Sequence, residues 1–171
     1  MTPETLELTP SVWQATLVAL APYRTGRVEG GCLWYGWRNS EHAWAVLVGV
    51  PKQINRADHF AIPAEALAEL NALIPDAFVV VAQVHTHPGV GTTHSAWDDT
   101  MMVSRKLFSL VLPRYAALPC EVGAAGVHIH DGNWWVKLPP EASRGRLKVV
   151  DRDVRHDRSA RDVTLTLVDA R

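Results

Sequence analysis

The sequence lacks the features that mark secreted, disulfide-bonded and membrane-spanning proteins. Cys32 and Cys120 are the only cysteines among 171 residues, and two are too few for a disulfide framework. The first residues have neither the basic start nor the apolar stretch of a signal peptide. The longest apolar runs, residues 43–50 and 77–84, are too short to cross a bilayer as helices. From these absences we expect a cytoplasmic protein that has no membrane partner.

An excess of one charge sign is also missing, because 17 lysines and arginines face 18 acids, for a net charge of −1. This balance gives no argument for a nucleic-acid partner. The apolar content of 47% is enough to bury a core, and the length suits one domain. We place that domain at residues 1–140. Residues 141–171 are interpreted as a charged C-terminal extension with one strand, Val163–Val168, which can join the domain's sheet or another chain.

Periodicity of the apolar residues predicts a protein dominated by strands with three helices packed around them, an α+β or α/β sandwich. Helices are expected at residues 12–21, where Pro22 should stop the first, at 63–73 and at 96–107. Strands are expected at residues 33–38, 42–50, 78–85, 108–112, 126–130 and 133–138. Residues 51–61 are expected to form a polar loop.

The most informative stretch is His85-Thr86-His87-Pro88, at the end of a valine-rich run. That run is bounded by Pro75-Asp76 and Pro88-Gly89, which is typical of a buried strand. On a strand, residues two apart point to the same face, whereas on a helix they diverge by about 200°. Both imidazoles should therefore leave the strand end together, close enough to bind one metal ion.

A carboxylate thirteen residues after His85 can complete this set. Asp98 begins a predicted helix with Ser95, in the Ser-x-x-Asp spacing of a capping box. A helix start would fix Asp98 rigidly, so capping and metal binding are compatible roles. Asp99 competes as the ligand, and His94 is a weaker competitor. Two histidines, one carboxylate and an open position form the catalytic arrangement of zinc, and one ion per chain is expected.

A second pair, His128-Ile129-His130, shows that the spacing alone is a weak signal. An Asp-Gly turn follows it, which favours a hairpin. We interpret these two histidines as half-exposed strand residues and not as ligands.

A hydrolytic metal site also needs a base that does not bind the metal. Glu29 is the best candidate, because it precedes Gly30-Gly31 at the start of a short predicted strand. Glycines there allow close backbone approach or unusual dihedral angles. The alternative is an exposed glutamate at a strand start.

Together these residues resemble the JAMM motif of the JAB/MPN metalloproteases: Glu29, then His85-x-His87-Pro88, then Ser95-x-x-Asp98. Residues 55–67 also resemble that family's segment leading into a helix, and the resemblance spans about residues 27–111. It implies the family's mixed-sheet, cytidine-deaminase-like fold.

The resemblance assigns a role to each position. His85, His87 and Asp98 would bind zinc. Glu29 would be the general base and later the proton donor, and Ser95 would hydrogen-bond the oxygen of the tetrahedral intermediate. Family members cleave after the C-terminal glycine of ubiquitin or ubiquitin-like proteins, or process sulfur-carrier proteins, so such a protein with an extended tail is the expected partner. Other members are scaffold subunits, so a zinc-holding subunit without turnover is an alternative from another class. A non-peptidase DNA-repair branch with this fold is a third and weaker alternative.

Overall fold

The computed structural model describes residues 2–151 and 167–171. Its helices are α1 (Pro10–Gly26), α2 (Ala64–Asn71), α3 (Ala96–Met101) and α4 (Pro140–Arg146). Its strands are β1 (Thr5–Leu8), β2 (Gly31–Arg38), β3 (His42–Val50), β4 (Ile54–Asn55), β5 (Phe60–Ala61), β6 (Val79–Thr86), β7 (Phe108–Leu112), β8 (Gly126–His130), β9 (Trp135–Lys137), β10 (Leu147–Val149) and β11 (Leu167–Asp169). Short 3₁₀ turns occupy Arg114–Ala116 and Val122–Ala124. None of the helices described is long and apolar enough to cross a membrane.

The described strands, apart from the β4–β5 pair, form one mixed sheet in the order β10-β1-β3-β2-β6-β7-β8-β9. β2 is antiparallel to both β3 and β6, whereas β6 and β7 are parallel. β11 pairs with the end of β3, beyond the stretch that pairs with β1. β6 therefore lies inside the sheet between β2 and β7, which is where a very apolar run belongs.

Two apolar clusters cover opposite faces of the sheet. On β2, Cys32 and Trp34 belong to the cluster beneath α1, and Leu33 and Tyr35 belong to the cluster beneath α2. This alternation follows from the two-residue period of a strand. The prediction of an α+β protein with a mixed sheet and flanking helices is confirmed.

The expectation that α1 stops at Pro22 was wrong, because the helix continues to Gly26. Proline removes one helical hydrogen bond. Tertiary contacts compensate for this loss and stabilise the last turn. Tyr23 is buried, and the Arg24 guanidinium donates to the carbonyl of Ala116 at 3.1 Å. Arg27 then ends the helix in the left-handed conformation, with φ of 53°.

The helix expected at residues 96–107 is also shorter, since α3 ends at Met101. Its C-cap, Met102, is extended, and the next amide, Val103 N–H, donates to Gln83 Oε1 at 3.1 Å. Gln83 is a buried polar residue of β6 and needs a partner. The Val103 amide therefore donates to a side chain of the sheet and not to a carbonyl of the helix.

Other differences lie in short elements. The expected loop at residues 51–61 contains the β4–β5 pair, and α2 is shorter at both ends than predicted. β1, α4 and β10 were not predicted. Within the predicted extension, β10 pairs with β1. β11 pairs with β3 and overlaps the end of the expected strand Val163–Val168. The first four residues of that expected strand lie outside the described residues. The domain boundary at residue 140 stays a prediction.

A buried hydrogen bond ties α1 to β2 and gives a stability prediction. Trp34 Nε1 donates to Thr16 Oγ1 at 2.8 Å, and both residues are fully buried. Thr16→Val should lower the free energy of unfolding by about 1–3 kcal/mol, because it leaves the indole N–H without an acceptor. Thr25→Val is the matched control, since Thr25 is exposed on the same helix and its hydroxyl donates to Ala21 O. Urea denaturation of both variants checks this, and equal losses would contradict it.

Candidate metal centre

The end of β6 presents the first two site residues. His85 pairs with Gly31 of β2 on one side and with Val111 of β7 on the other. Beyond the strand, the His87 amide donates to Leu112 O at 2.8 Å. The backbone of the sheet thus fixes both histidines, and their rings leave the strand end together, as the two-residue spacing predicted.

A helix start presents the third residue. Ser95 is the N-cap of α3, and its backbone amide and its hydroxyl donate to Asp98 Oδ2 at 2.6 and 2.8 Å. In return, the Asp98 amide donates to Ser95 Oγ at 3.2 Å. This capping box was predicted, and it holds the carboxylate in one position.

His85, His87 and Asp98 meet in a triangle of potential ligand atoms. His85 Nε2 lies 3.3 Å from His87 Nε2 and 3.4 Å from Asp98 Oδ1, and His87 Nε2 lies 3.1 Å from Asp98 Oδ2. Ligands bonded at 2.0–2.1 Å to one tetrahedral ion lie about 3.3 Å from each other. The three residues can therefore hold one metal ion, and their donor types and spacing fit zinc.

Burial and mutual hydrogen bonding set the protonation states of the three residues. Burial lowers the pKa of His85, which keeps this imidazole neutral and its lone pair available. For His87, burial is outweighed by Asp98 and Glu29, which raise the pKa. Burial alone would raise the pKa of Asp98, but its hydrogen bonds with the two histidines hold it far below the usual range. An ionised carboxylate thus faces two imidazoles.

The competing ligand candidates lie outside the triangle. The Asp99 side chain is 46% exposed, and its Oδ1 lies 2.8 Å from Nδ1 of His94. His94 Nε2 lies 2.8 Å from the hydroxyl of Ser109. The Asp99 carboxylate and both ring nitrogens of His94 thus have partners outside the triangle. Asp98 is the carboxylate that joins the two histidines.

In the second histidine pair, His128 was expected to be half-exposed, and this expectation was wrong. Its side chain is buried and stacks on the His94 ring, with centroids 3.9 Å apart, and its Nε2 lies 3.3 Å from the His94 amide. His130 is half-buried, as expected. The β7–β8 register places Ser109, the hydrogen-bond partner of His94, opposite His128. Correct strand pairing would therefore have placed His128 near Ser109. The stack fixes the residue before Ser95, which makes it a positioning element for the helix start.

The buried stack predicts acid sensitivity. Burial lowers the pKa of His94 and of His128 to about 3. Both stay neutral in the folded state, whereas the unfolded chain takes up protons below about pH 6.5, so stability is lost as pH falls from 6.5 towards 3. Each histidine should cost about 2 kcal/mol at pH 5.

We expect His128→Gln to reduce the loss of unfolding free energy between pH 7.5 and 5 by about that amount. Urea denaturation of chelator-treated protein at both pH values measures it. His59→Gln is the control, since that side chain is 40% exposed. An unchanged pH slope in His128→Gln would contradict the prediction.

Glu29 lies beside the triangle because of the β2–β6 pairing. Gly31 is opposite His85, and the Thr86 amide donates to Gly30 O at 3.0 Å, which brings Glu29 level with the strand end. The glycines serve close packing: a Cβ on Gly30 would lie 2.3 Å from the Tyr23 ring, and one on Gly31 would lie 2.8 Å from Phe60.

The environment of Glu29 suits a proton carrier. The residue is 3% exposed, and its Oε2 has no hydrogen-bond partner among the described residues. Burial is the main cause that raises its pKa to about 7, with Asp98 and Asp58 adding to the rise and His87 opposing it. The alternative of an exposed strand-start glutamate is therefore wrong. A carboxyl with a pKa near neutrality can both accept and release a proton.

Two neighbours of the triangle were not predicted. The Phe60 ring of β5 lies 5.5 Å from the His85 ring, and Trp97 Nε1 of α3 donates to the Phe60 carbonyl at 2.8 Å. The β4–β5 pair is thereby tied to α3, and Phe60 supplies an apolar wall.

A left-handed turn supports the other side. Arg114, Tyr115 and Ala116 have φ of 53°, 54° and 57°, which costs about 1–2 kcal/mol for each residue. The turn directs the Tyr115 amide to the carbonyl of His87 and the Arg114 amide to that of Gly89, both at 2.7 Å. These bonds fix the segment that follows β6.

Comparison with known proteins adds evidence on the fold. Neither a protein-family model nor a curated protein matches the sequence. Among solved structures, the solution structure of protein DSY2949 from Desulfitobacterium hafniense is similar, with a TM-score of 0.65 and 17% identity. The match covers 89% of this chain and 97% of that chain. At this identity the likeness shows only that the two chains share a fold.

Proposed function

We propose that this protein is a zinc-dependent peptidase or isopeptidase that cleaves after the C-terminal glycine of a ubiquitin-like protein. The observation that carries the proposal is the triangle of His85, His87 and Asp98, with the buried carboxyl of Glu29 beside it. The chemistry of the donors favours zinc. The resemblance to the JAMM motif supplies the substrate class.

Glu29 is the residue that moves protons in this proposal. Zinc, when bound, polarises a carbonyl and lowers the pKa of water towards about 7. The pKa of Glu29 is also about 7, close to that of the activated water. Glu29 therefore takes a proton from the attacking water and afterwards gives a proton to the leaving amine. Its burial keeps bulk water away from the carboxyl.

Ser95 has two roles in the proposal. In the structure its hydroxyl donates to Asp98 Oδ2 and accepts from the Asp98 amide, so it orients the ligand. Because Ser95 is exposed, its hydroxyl is also accessible to a substrate. Turning that O–H towards the substrate oxygen would stabilise negative charge as it develops.

A cleavage assay with metal control tests the proposed function. Probes are linear fusions in which ubiquitin, a ubiquitin-like modifier or a sulfur-carrier protein, each ending in two glycines, precedes a reporter, together with an isopeptide-linked form. We expect wild-type protein to release the reporter after the last glycine, to lose this activity after chelation and to regain it with zinc.

The same assay separates the alternatives. Release from the sulfur-carrier fusion alone would favour the processing peptidase. Zinc binding without turnover of any probe would refute the proposed activity and favour the zinc-holding subunit.

A further inference from the structure

A second cleft lies away from the triangle. Its volume is about 960 Å³, and it lies between β10 with α4 on one side and the start of β8 with the preceding 3₁₀ turn on the other. This volume falls in the range of small-molecule sites, about 300–1,000 Å³. None of the three metal-triangle residues lines it.

The charge of this cleft has one sign. Lys137 of β9, Arg144 of α4 and Lys148 of β10 line it, and no aspartate or glutamate does so among the described residues. These cations come from three consecutive elements in a chain whose net charge is −1. A concave surface with charges of one sign concentrates the field and attracts the opposite charge.

The rest of the lining is mainly apolar. Val122, Leu138 and Val149 contribute accessible aliphatic surface, and Pro139 and Pro140 also line the cleft. An inorganic anion would leave this surface in contact with water, whereas an organic anion with an apolar body would cover it.

We propose that this cleft is a binding site for a small organic anion with an apolar body, such as an aromatic or aliphatic carboxylate, sulfonate or phosphate. Lys137, Arg144 and Lys148 pair with the anionic group, and the aliphatic wall covers the body. This inference does not depend on the proposed peptidase function.

Lys137 also connects the cleft to the segment before α3. Its ammonium donates to Thr92 Oγ1 at 2.7 Å and to Thr93 Oγ1 at 3.4 Å. For this reason Lys137 stays unchanged in the test, which uses only Arg144 and Lys148. Both are exposed, so their replacement should leave the fold intact.

Fluorescence titration with anilinonaphthalene sulfonate tests the proposal, and the neutral N-phenylnaphthylamine is the control ligand. Wild-type protein should bind the sulfonate saturably at one site. Arg144→Gln with Lys148→Gln should weaken that binding by about tenfold. It should change binding of the neutral dye by less than about twofold, because the aliphatic wall is unaltered.

The matched control is Arg105→Gln with Lys106→Gln, which removes the same charge from exposed positions that do not line the cleft. It should leave both affinities unchanged, and thermal unfolding shows whether each variant is folded. Sulfonate binding that is absent, equal in the two double variants or matched by the neutral dye would overturn the proposal.

Discussion

Glu29→Gln is expected to keep the metal and to lose cleavage by about 10²- to 10⁴-fold, the usual contribution of a general acid–base group. The amide has nearly the same shape as the carboxyl, so packing against the buried surroundings is preserved, but it cannot accept or release the proton. The measurement is kcat/KM on the cleaved fusion, beside zinc content by elemental analysis. Glu65→Gln is the matched control, since that residue is exposed on α2 and should retain full activity.

The free energy of unfolding of the same variant provides a folding control, because the direction of its change is predicted. Because the folded pKa of Glu29 is raised to about 7, its contribution to stability is complete below about pH 4.5 and is lost as pH rises through 7. At pH 8 a neutral glutamine should therefore make the metal-free protein more stable than metal-free wild type by about 3 kcal/mol. A variant that is stable, binds zinc and does not cleave would identify Glu29 as the proton carrier. Unchanged cleavage by that variant would remove it from this role.

The parts of the site that could be predicted from sequence depend on local spacing. Two histidines two residues apart at a strand end must share a face, and a Ser-x-x-Asp helix start must hold its acid near its N-cap. Neither statement needs tertiary information. The metal triangle, which joins His85, His87 and Asp98, could therefore be proposed before the fold was known.

The parts that were missed depend on partners distant in sequence. α3 stops at Met101 where the next segment meets a buried glutamine of β6, and α1 passes Pro22 where its last turn meets Ala116. The left-handed turn at residues 114–116 contains no glycine to signal it. The burial of His128 depends on stacking with His94, a pairing that alternation along β8 cannot reveal.

The family resemblance and the structural likeness carry different weight. The motif includes His85, His87 and Asp98, whose side chains meet in the structure, whereas the similar solved structure shares a fold at 17% identity. Fold alone does not determine chemistry. The functional proposal therefore depends on metal binding by the triangle and on proton transfer by one carboxyl, both of which can be tested by single substitutions.

Asp98→Ala is expected to reduce zinc affinity by at least about 100-fold, more than the loss of a residue that only orients a ligand. The substitution removes the one negative charge of the triangle and leaves two imidazoles, which bind a dication more weakly. Metal content after dialysis against a weak chelator should fall from about one zinc per chain to nearly none. Competition with a chromophoric chelator gives the affinity.

Asp99→Ala is the matched control, because it removes the neighbouring carboxylate from the same first turn of α3. Since Asp99 pairs with His94 and lies outside the triangle, this variant should still hold one zinc. Loss of metal in both variants would mean that the helix start as a whole, and not the Asp98 carboxylate, keeps the site together. Retention in both would exclude the triangle as the zinc site, and Glu29 would then have no metal centre to serve.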